Sequence, residues 1–283
     1  MTTSLPTPLV SAEQFLAARA AGLDPLVLDC SFDLADTGAG ERAFAGGRIP
    51  GAVYAHLERD LSGPKTGRNG RHPLPDRALW AATLGRLGAT PGRHVVVYDA
   101  QGGMYAARAW WMLLWAGHPA ASVLDGGLQA WVAASGAIES GPVAPASAGA
   151  TYPLADSLVR IIGTDALQAQ LGRVTVIDAR AGERFRGEVE PLDARAGHIP
   201  GARSRFFKDN LDAQGRFRHA DELRAAFSAF GAAPEDVVQQ CGSGVTACHN
   251  LLAMTVAGLP GSVLYPGSWS EWSADPARPV AVG

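Results

Sequence analysis

Residues 241–248 read Cys-Gly-Ser-Gly-Val-Thr-Ala-Cys and follow directly on the apolar run Asp236-Val237-Val238-Gln239-Gln240. The run reads as a buried strand and the residues from Thr246 onward as the start of a helix, so a cysteine heads a short loop that carries two glycines. Such a loop is an anion cradle. Its glycines let successive backbone N–H groups turn toward one point, and the helix that follows adds its positive end. A cysteine at that point is favoured as thiolate, the nucleophilic form, and the same cradle holds an anion carried on the sulfur. The amides of Gly242, Gly244, Val245 and Thr246 are the candidate donors. Ser243, two residues after the nucleophile, either hydrogen-bonds a substrate or closes its own turn. Thr246 serves as a helix cap or as a ligand.

The chain has two other cysteines, Cys30 and Cys248. Cys30 follows a buried strand and Cys248 lies about two turns into a helix, so both read as packing residues. The odd count and scarcity argue against a disulfide framework and for a reducing compartment, the cytoplasm. No Cys-x-x-Cys pair suggests zinc, and no strand runs into Gly-x-Gly-x-x-Gly, so neither a metal nor a nicotinamide cofactor is expected. A Gly-x-Ser-x-Gly elbow for a serine hydrolase is absent as well. A cysteine phosphatase needs an arginine six residues after the nucleophile, where this chain has Ala247. A non-catalytic sulfur-binding module stays open as a distant alternative.

The 283 residues carry a formal charge of −3, too little basic field for nucleic acid as a partner. No apolar run approaches the ~20 residues of a membrane span, and the first ten residues show no secretory signal. Lys65 and Lys208 are the only lysines.

The elements that must position this loop come in two sets. Residues 48–52 read RIPGA and residues 198–202 read HIPGA. Val27-Leu28-Asp29 matches Val176-Ile177-Asp178, Ala116-Gly117 matches Ala257-Gly258, and Trp131 matches Trp272, all in the same order. A fixed order of anchors at long period marks two copies of one domain. Residues 137–152, rich in Ala, Pro, Gly and Ser, read as the linker, which places the domains at 1–143 and 144–283. Within each copy, continuous apolar runs at 26–29, 94–98, 122–124, 174–178, 236–240 and 262–265 alternate with helical stretches at 11–21, 75–87, 104–116, 164–171, 219–230 and 246–257. Asp76 and Thr164 are the candidate helix starts. The alternation predicts an α/β fold, a parallel sheet with helices on both faces in each copy, and ligands beyond the carboxyl ends of the strands. The position matching Cys241 in the first copy is Asp99 or Ala100, so that copy lacks a nucleophile.

The motif CGSGVTA, the IPGA turn used twice and the closing YPGSWSEW resemble the two-domain rhodanese family of sulfurtransferases, over about residues 8 to 278. Within it, the CGSGVT loop is similar to that of 3-mercaptopyruvate sulfurtransferases. Thiosulfate enzymes usually carry two charged residues after the cysteine, where this chain has Gly242 and Ser243. The resemblance implies that the second domain is catalytic and that Cys241 carries sulfur as a persulfide. The donor would be mercaptopyruvate or, alternatively, thiosulfate. The acceptor would be a thiol such as thioredoxin or glutathione, or cyanide. It further implies that Arg184 binds the donor carboxylate, that His72 from the first domain serves as proton donor, and that Asp60 orients His72. A second carboxylate-binding arginine, expected after Glu190-Pro191, is missing or displaced to Arg195.

Overall fold

The computed structural model describes residues 5–142 and 149–283, so the domain boundary expected at 143/144 lies outside the described residues. The chain forms two compact units. The first holds β1 (Leu9–Val10), α1 (Ala12–Ala20), β2 (Leu26–Asp29), α2 (Ala39–Gly46), β3 (Val53–Tyr54), α3 (Arg77–Leu87), β4 (Val95–Tyr98), α4 (Ala106–Trp115), β5 (Ala121–Leu124) and α5 (Gly127–Ala133). Its five strands run in the order β1-β5-β4-β2-β3, and every pairing is parallel.

The second unit repeats the plan with β6 (Arg160–Ile161), α6 (Thr164–Gln170), β7 (Thr175–Asp178), α7 (Gly182–Arg186), β8 (Arg203–Ser204), α8 (Ala220–Ser228), β9 (Val237–Gln240), α9 (Ala247–Val256), β10 (Val263–Leu264) and α10 (Ser268–Trp272). Its order, β6-β10-β9-β7-β8, is the same order shifted by five strands. Two units of contact are not two halves of the sequence, however. Residues 63–74 pack with the second unit and residues 213–216 with the first.

The central strands are those expected from apolar runs: β2, β4, β5 and β9 are buried along their whole length. Two-residue edge strands and the short helices α2, α5, α7 and α10 have no period long enough to read. Asp76 caps α3, accepting from the Leu79 N–H at 2.7 Å. Thr164 is not a cap. Gly163 takes that place, and the Thr164 hydroxyl bonds the Tyr265 hydroxyl at 3.0 Å. The paired IPGA motifs are reverse turns with proline second and glycine third. Gly51 and Gly201 have φ of +77° and +78°, and Ala52 and Ala202 donate back to Ile49 and Ile199. Each turn buries its isoleucine completely in the core of its unit.

His94 in the first unit illustrates the cost of a half-buried base. Burial, reinforced by nearby His118, lowers its pKa from 6.5 to about 4. The folded state therefore holds the neutral ring. Its contribution to stability is complete above about pH 6.5 and is lost as the pH falls from there toward 4, where only the unfolded chain takes up the proton. Denaturant midpoints should therefore fall between about pH 7.5 and pH 5, and fall less in His94→Gln. An equal fall in both chains would remove His94 as the cause.

Candidate functional site

The register of the second sheet places Cys241 one residue past the end of β9, with Gln240 paired to Asp178 of β7. The thiol-bearing residue is 2% exposed. Its loop is held from below by α10. The Cys241 N–H donates to the Ser268 hydroxyl at 3.1 Å, and the Cys241 and Gly242 carbonyls accept from the N–H groups of Trp269 and Ser270 at 2.9 Å. The Cys248 thiol donates to the Gly244 carbonyl at 3.4 Å, so Cys248 braces the loop from inside α9. Val245 and Ser243 are buried. Thr246 sits at the N-cap position of α9 but makes no side-chain cap bond, which leaves the capping alternative without its hydrogen bond.

The same position in the first unit is decided by its own register. Asp29 of β2 pairs with Tyr98, as Asp178 pairs with Gln240, so the residue matching Cys241 is Asp99 and not Ala100. The fully buried Asp99 carboxylate accepts from the N–H groups of Gln101, Gly103, Tyr105 and Ala106 at 2.8–2.9 Å. The loop of the first unit is thus a cradle already filled by a built-in anion.

Residues 63–74 bring two more groups to the second unit. The Arg71 N–H donates to the Ser270 hydroxyl at 3.0 Å, docking this segment on α10. His72, buried, joins its Nδ1 to the Ser243 Oγ at 2.8 Å. Ser243 and His72, 171 residues apart in sequence, form a hydrogen-bonded pair two residues from the thiol.

The cations of the site are Arg71 and Arg184. A Cβ built on Gly242 would lie 2.8 Å from Arg71 Nη2 and 3.4 Å from Arg184 Nη1. Two guanidiniums therefore flank the residue next to Cys241, and positive charge reaches this loop from outside it. The Nε–H groups of both arginines are buried and lack a partner among the described residues, a costly state that an anionic ligand relieves. Their other nitrogens are held by carboxylates. Arg184 Nη2 reaches Glu190 at 2.6 Å and Asp193 at 3.1 Å, and Arg71 Nη1 pairs with the other Asp193 oxygen. Glu190 also pairs with Arg180 at 3.3 Å, which is bound to Asp178 at 2.7 Å and lies over the Trp269 ring.

Two expected site residues, Arg195 and Asp60, make bonds of their own. Arg195 donates to the backbone carbonyls of Ser273, Arg278, Trp272 and Asp275, tying down the chain after α10. These bonds occupy four of its five guanidinium N–H donors. Asp60 clusters with the first unit, where one oxygen accepts from the His56 N–H at 2.7 Å and the other pairs with Arg86. Arg71, by contrast, was missed from the sequence. It adjoins His72, but nothing in a local pattern connects residue 71 with residue 242. Cys30 is fully buried, and desolvation, aided by the carboxylates of Asp29, Asp99 and Asp60, pushes its thiol well above the ordinary range.

Among the described residues no helix is long and apolar enough to cross a membrane, and no group of three or more His, Cys, Asp or Glu is arranged to hold a metal.

Comparison with known proteins matches residues 11–134 and 163–275 to the rhodanese-like domain, one match in each half of the sequence. A Pseudomonas aeruginosa protein named "Probable 3-mercaptopyruvate sulfurtransferase" is 50% identical over 97% of this chain and 98% of its own. The thiosulfate sulfurtransferase of Gallus gallus is 34% identical over 93% of this chain and 92% of its own. The crystal structure of SseA from Escherichia coli, described as a 3-mercaptopyruvate sulfotransferase, superposes with a TM-score of 0.79 at 32% identity, covering 94% of this chain and all of that one. Two rhodanese-like domains in tandem, and relatives matched from end to end, place this chain in the rhodanese family.

Proposed function

We propose that this chain is a sulfurtransferase that moves sulfur from 3-mercaptopyruvate to a thiol or to cyanide through a persulfide on Cys241, with its second domain, 144–283, catalytic and its first, 1–143, a non-catalytic copy. One observation carries the choice of donor: two guanidiniums with unpartnered Nε–H groups flank Gly242, beside the nucleophile. Paired guanidinium N–H groups suit a carboxylate, and mercaptopyruvate presents a carboxylate at one end and a thiol at the other.

In the first half-reaction the Cys241 thiolate attacks the donor sulfur. A sulfur–sulfur bond forms and the donor's carbon–sulfur bond breaks. That electron pair leaves on pyruvate as its enolate, which takes a proton from the Ser243–His72 pair. The amides of Gly242, Gly244, Val245 and Thr246 stabilise the anionic sulfur, as the matching loop in the first unit holds the Asp99 carboxylate. In the second half-reaction a thiolate, of thioredoxin or glutathione type, or cyanide attacks the outer sulfur, and Cys241 leaves as thiolate. No step calls on a metal or an organic cofactor. Three free cysteines fit a reducing compartment, and we place the protein in the cytoplasm.

Mass spectrometry after incubation with mercaptopyruvate should find the chain heavier by one sulfur atom, and a thiol should remove the gain. A gain with thiosulfate alone would establish the alternative donor, and no gain with either would overturn the proposal. Arg71→Ala and Arg184→Ala should each lower kcat/KM for mercaptopyruvate on the order of tenfold to a hundredfold, mainly through KM. Unchanged turnover in both would refute the carboxylate clamp.

A further inference from the structure

Asp193 is the residue that the proposed chemistry leaves unexplained. Its side chain is 3% exposed, and its two oxygens are divided between Arg71 and Arg184, the same two guanidiniums that flank Gly242. It is held there by Glu190, whose Oε1 accepts from the N–H groups of Leu192 and Asp193 at 3.1 and 3.2 Å and so shapes the turn that presents the carboxylate. A carboxylate built into this place sets the charge of the site. Arg71, Arg184 and Arg180 face Asp193, Glu190 and Asp178 in one alternating chain, three cations against three anions. The array is therefore neutral before any donor enters, although it presents guanidinium N–H groups to one.

A neutral array that still donates hydrogen bonds discriminates by charge. A donor with a single carboxylate adds one negative charge and satisfies the open N–H groups. A dianion of similar size adds two, beside a nucleophile that must itself be anionic, and the second finds no uncompensated cation. At low effective dielectric that unbalanced charge is a large penalty.

We propose that Asp193 determines donor specificity: its carboxylate, shared between Arg71 and Arg184, completes the neutralisation of this array, so the site accepts a monoanionic carboxylate donor and rejects a dianionic one such as thiosulfate. This rests on the assignment of Arg71 and Arg184 as donor-binding groups. Asp193 is a positioning and charge-setting residue and takes no part in bond making.

The test compares Asp193→Asn and Asp193→Glu with the parent, using cyanide as common acceptor and mercaptopyruvate and thiosulfate as separate donors. In Asp193→Asn the ratio of kcat/KM for thiosulfate over mercaptopyruvate should rise on the order of tenfold, through a lower KM for thiosulfate, and the rise should shrink at high salt. Asp193→Glu, which keeps the charge, should hold the parent ratio. A ratio that stays constant in Asp193→Asn, or both donors slowed in proportion, would overturn the proposal, as would a shift in Asp193→Glu equal to that in Asp193→Asn. A measurement on the unsubstituted chain avoids any folding defect: pyruvate should compete with the donor more strongly than sulfate does, and sulfate competing equally well would also overturn it. If the parent takes no sulfur from mercaptopyruvate, the functional assignment itself fails. If it does and the ratio stays fixed, only the role of Asp193 fails.

Discussion

Cys241→Ser should fold like the parent and transfer no sulfur. The substitution exchanges one atom at a site that is 2% exposed and keeps the strand, the loop and the α10 contacts made by the backbone of residue 241. What it removes is the chemistry. A serine hydroxyl is not ionised near neutral pH, and its oxygen does not form the stable, reversible bond to sulfur that a thiolate forms. Turnover should drop on the order of a thousandfold or more, and no sulfur should be found on the protein after exposure to mercaptopyruvate. The melting temperature should stay close to that of the parent, which separates lost chemistry from lost structure. Sulfur retained by Cys241→Ser would move the carrier to another thiol. Neither alternative is built for it, because Cys30 is fully buried with its thiol held protonated by desolvation, and Cys248 is buried with its hydrogen bond directed at the Gly244 carbonyl.

Asp99→Ala should have the largest effect on stability, and it falls in the first unit, where Asp99 occupies the position of Cys241. Four backbone N–H groups converge on this carboxylate, in a loop where residue 99 is completely buried. Alanine removes the acceptor and leaves those donors facing a void. Unsatisfied buried donors cost about 1–3 kcal/mol each before relaxation, so a net loss of about 3–5 kcal/mol is expected once the loop adjusts. Asp99→Asn keeps one carbonyl oxygen and should lose roughly half as much. Chemical denaturation followed by the fluorescence of the first unit's tryptophans measures both. A midpoint for Asp99→Ala at the parent value would mean that the carboxylate is not what holds this loop. The two predictions concern one loop design used twice: one copy encloses a permanent anion and serves the fold, and the other leaves the place to a cysteine.

Much of this organisation is legible in one dimension. Continuous apolar runs mark the buried strands because a strand covered on both faces has no polar side to show. The Ile-Pro-Gly-Ala turns are local hydrogen-bonded geometry in which each residue type has a backbone reason, and they recur because the domain recurs. The cysteine heading a glycine loop between strand and helix is similarly local. The edge strands escaped because two residues carry no period, while α6 begins at Thr164 as expected, with Gly163 as its cap.

Thus the sequence by itself determined the fold class, the repeat, and the glycine loop headed by Cys241 in one copy and by no cysteine in the other, since each is carried by short local motifs. It could not decide between Asp99 and Ala100, which the pairing of Asp29 with Tyr98 settles. Nor could it choose the arginines. Arg195 lay where a second clamp was expected, yet it closes the chain after α10, while Arg71, a hundred and seventy residues before the loop, stands over Gly242. Only the tertiary structure decided which guanidiniums lie beside Gly242 and which carboxylates pair with them. Electrostatic pairing depends on distance and burial in space, and neither is encoded in the spacing of residues along the chain.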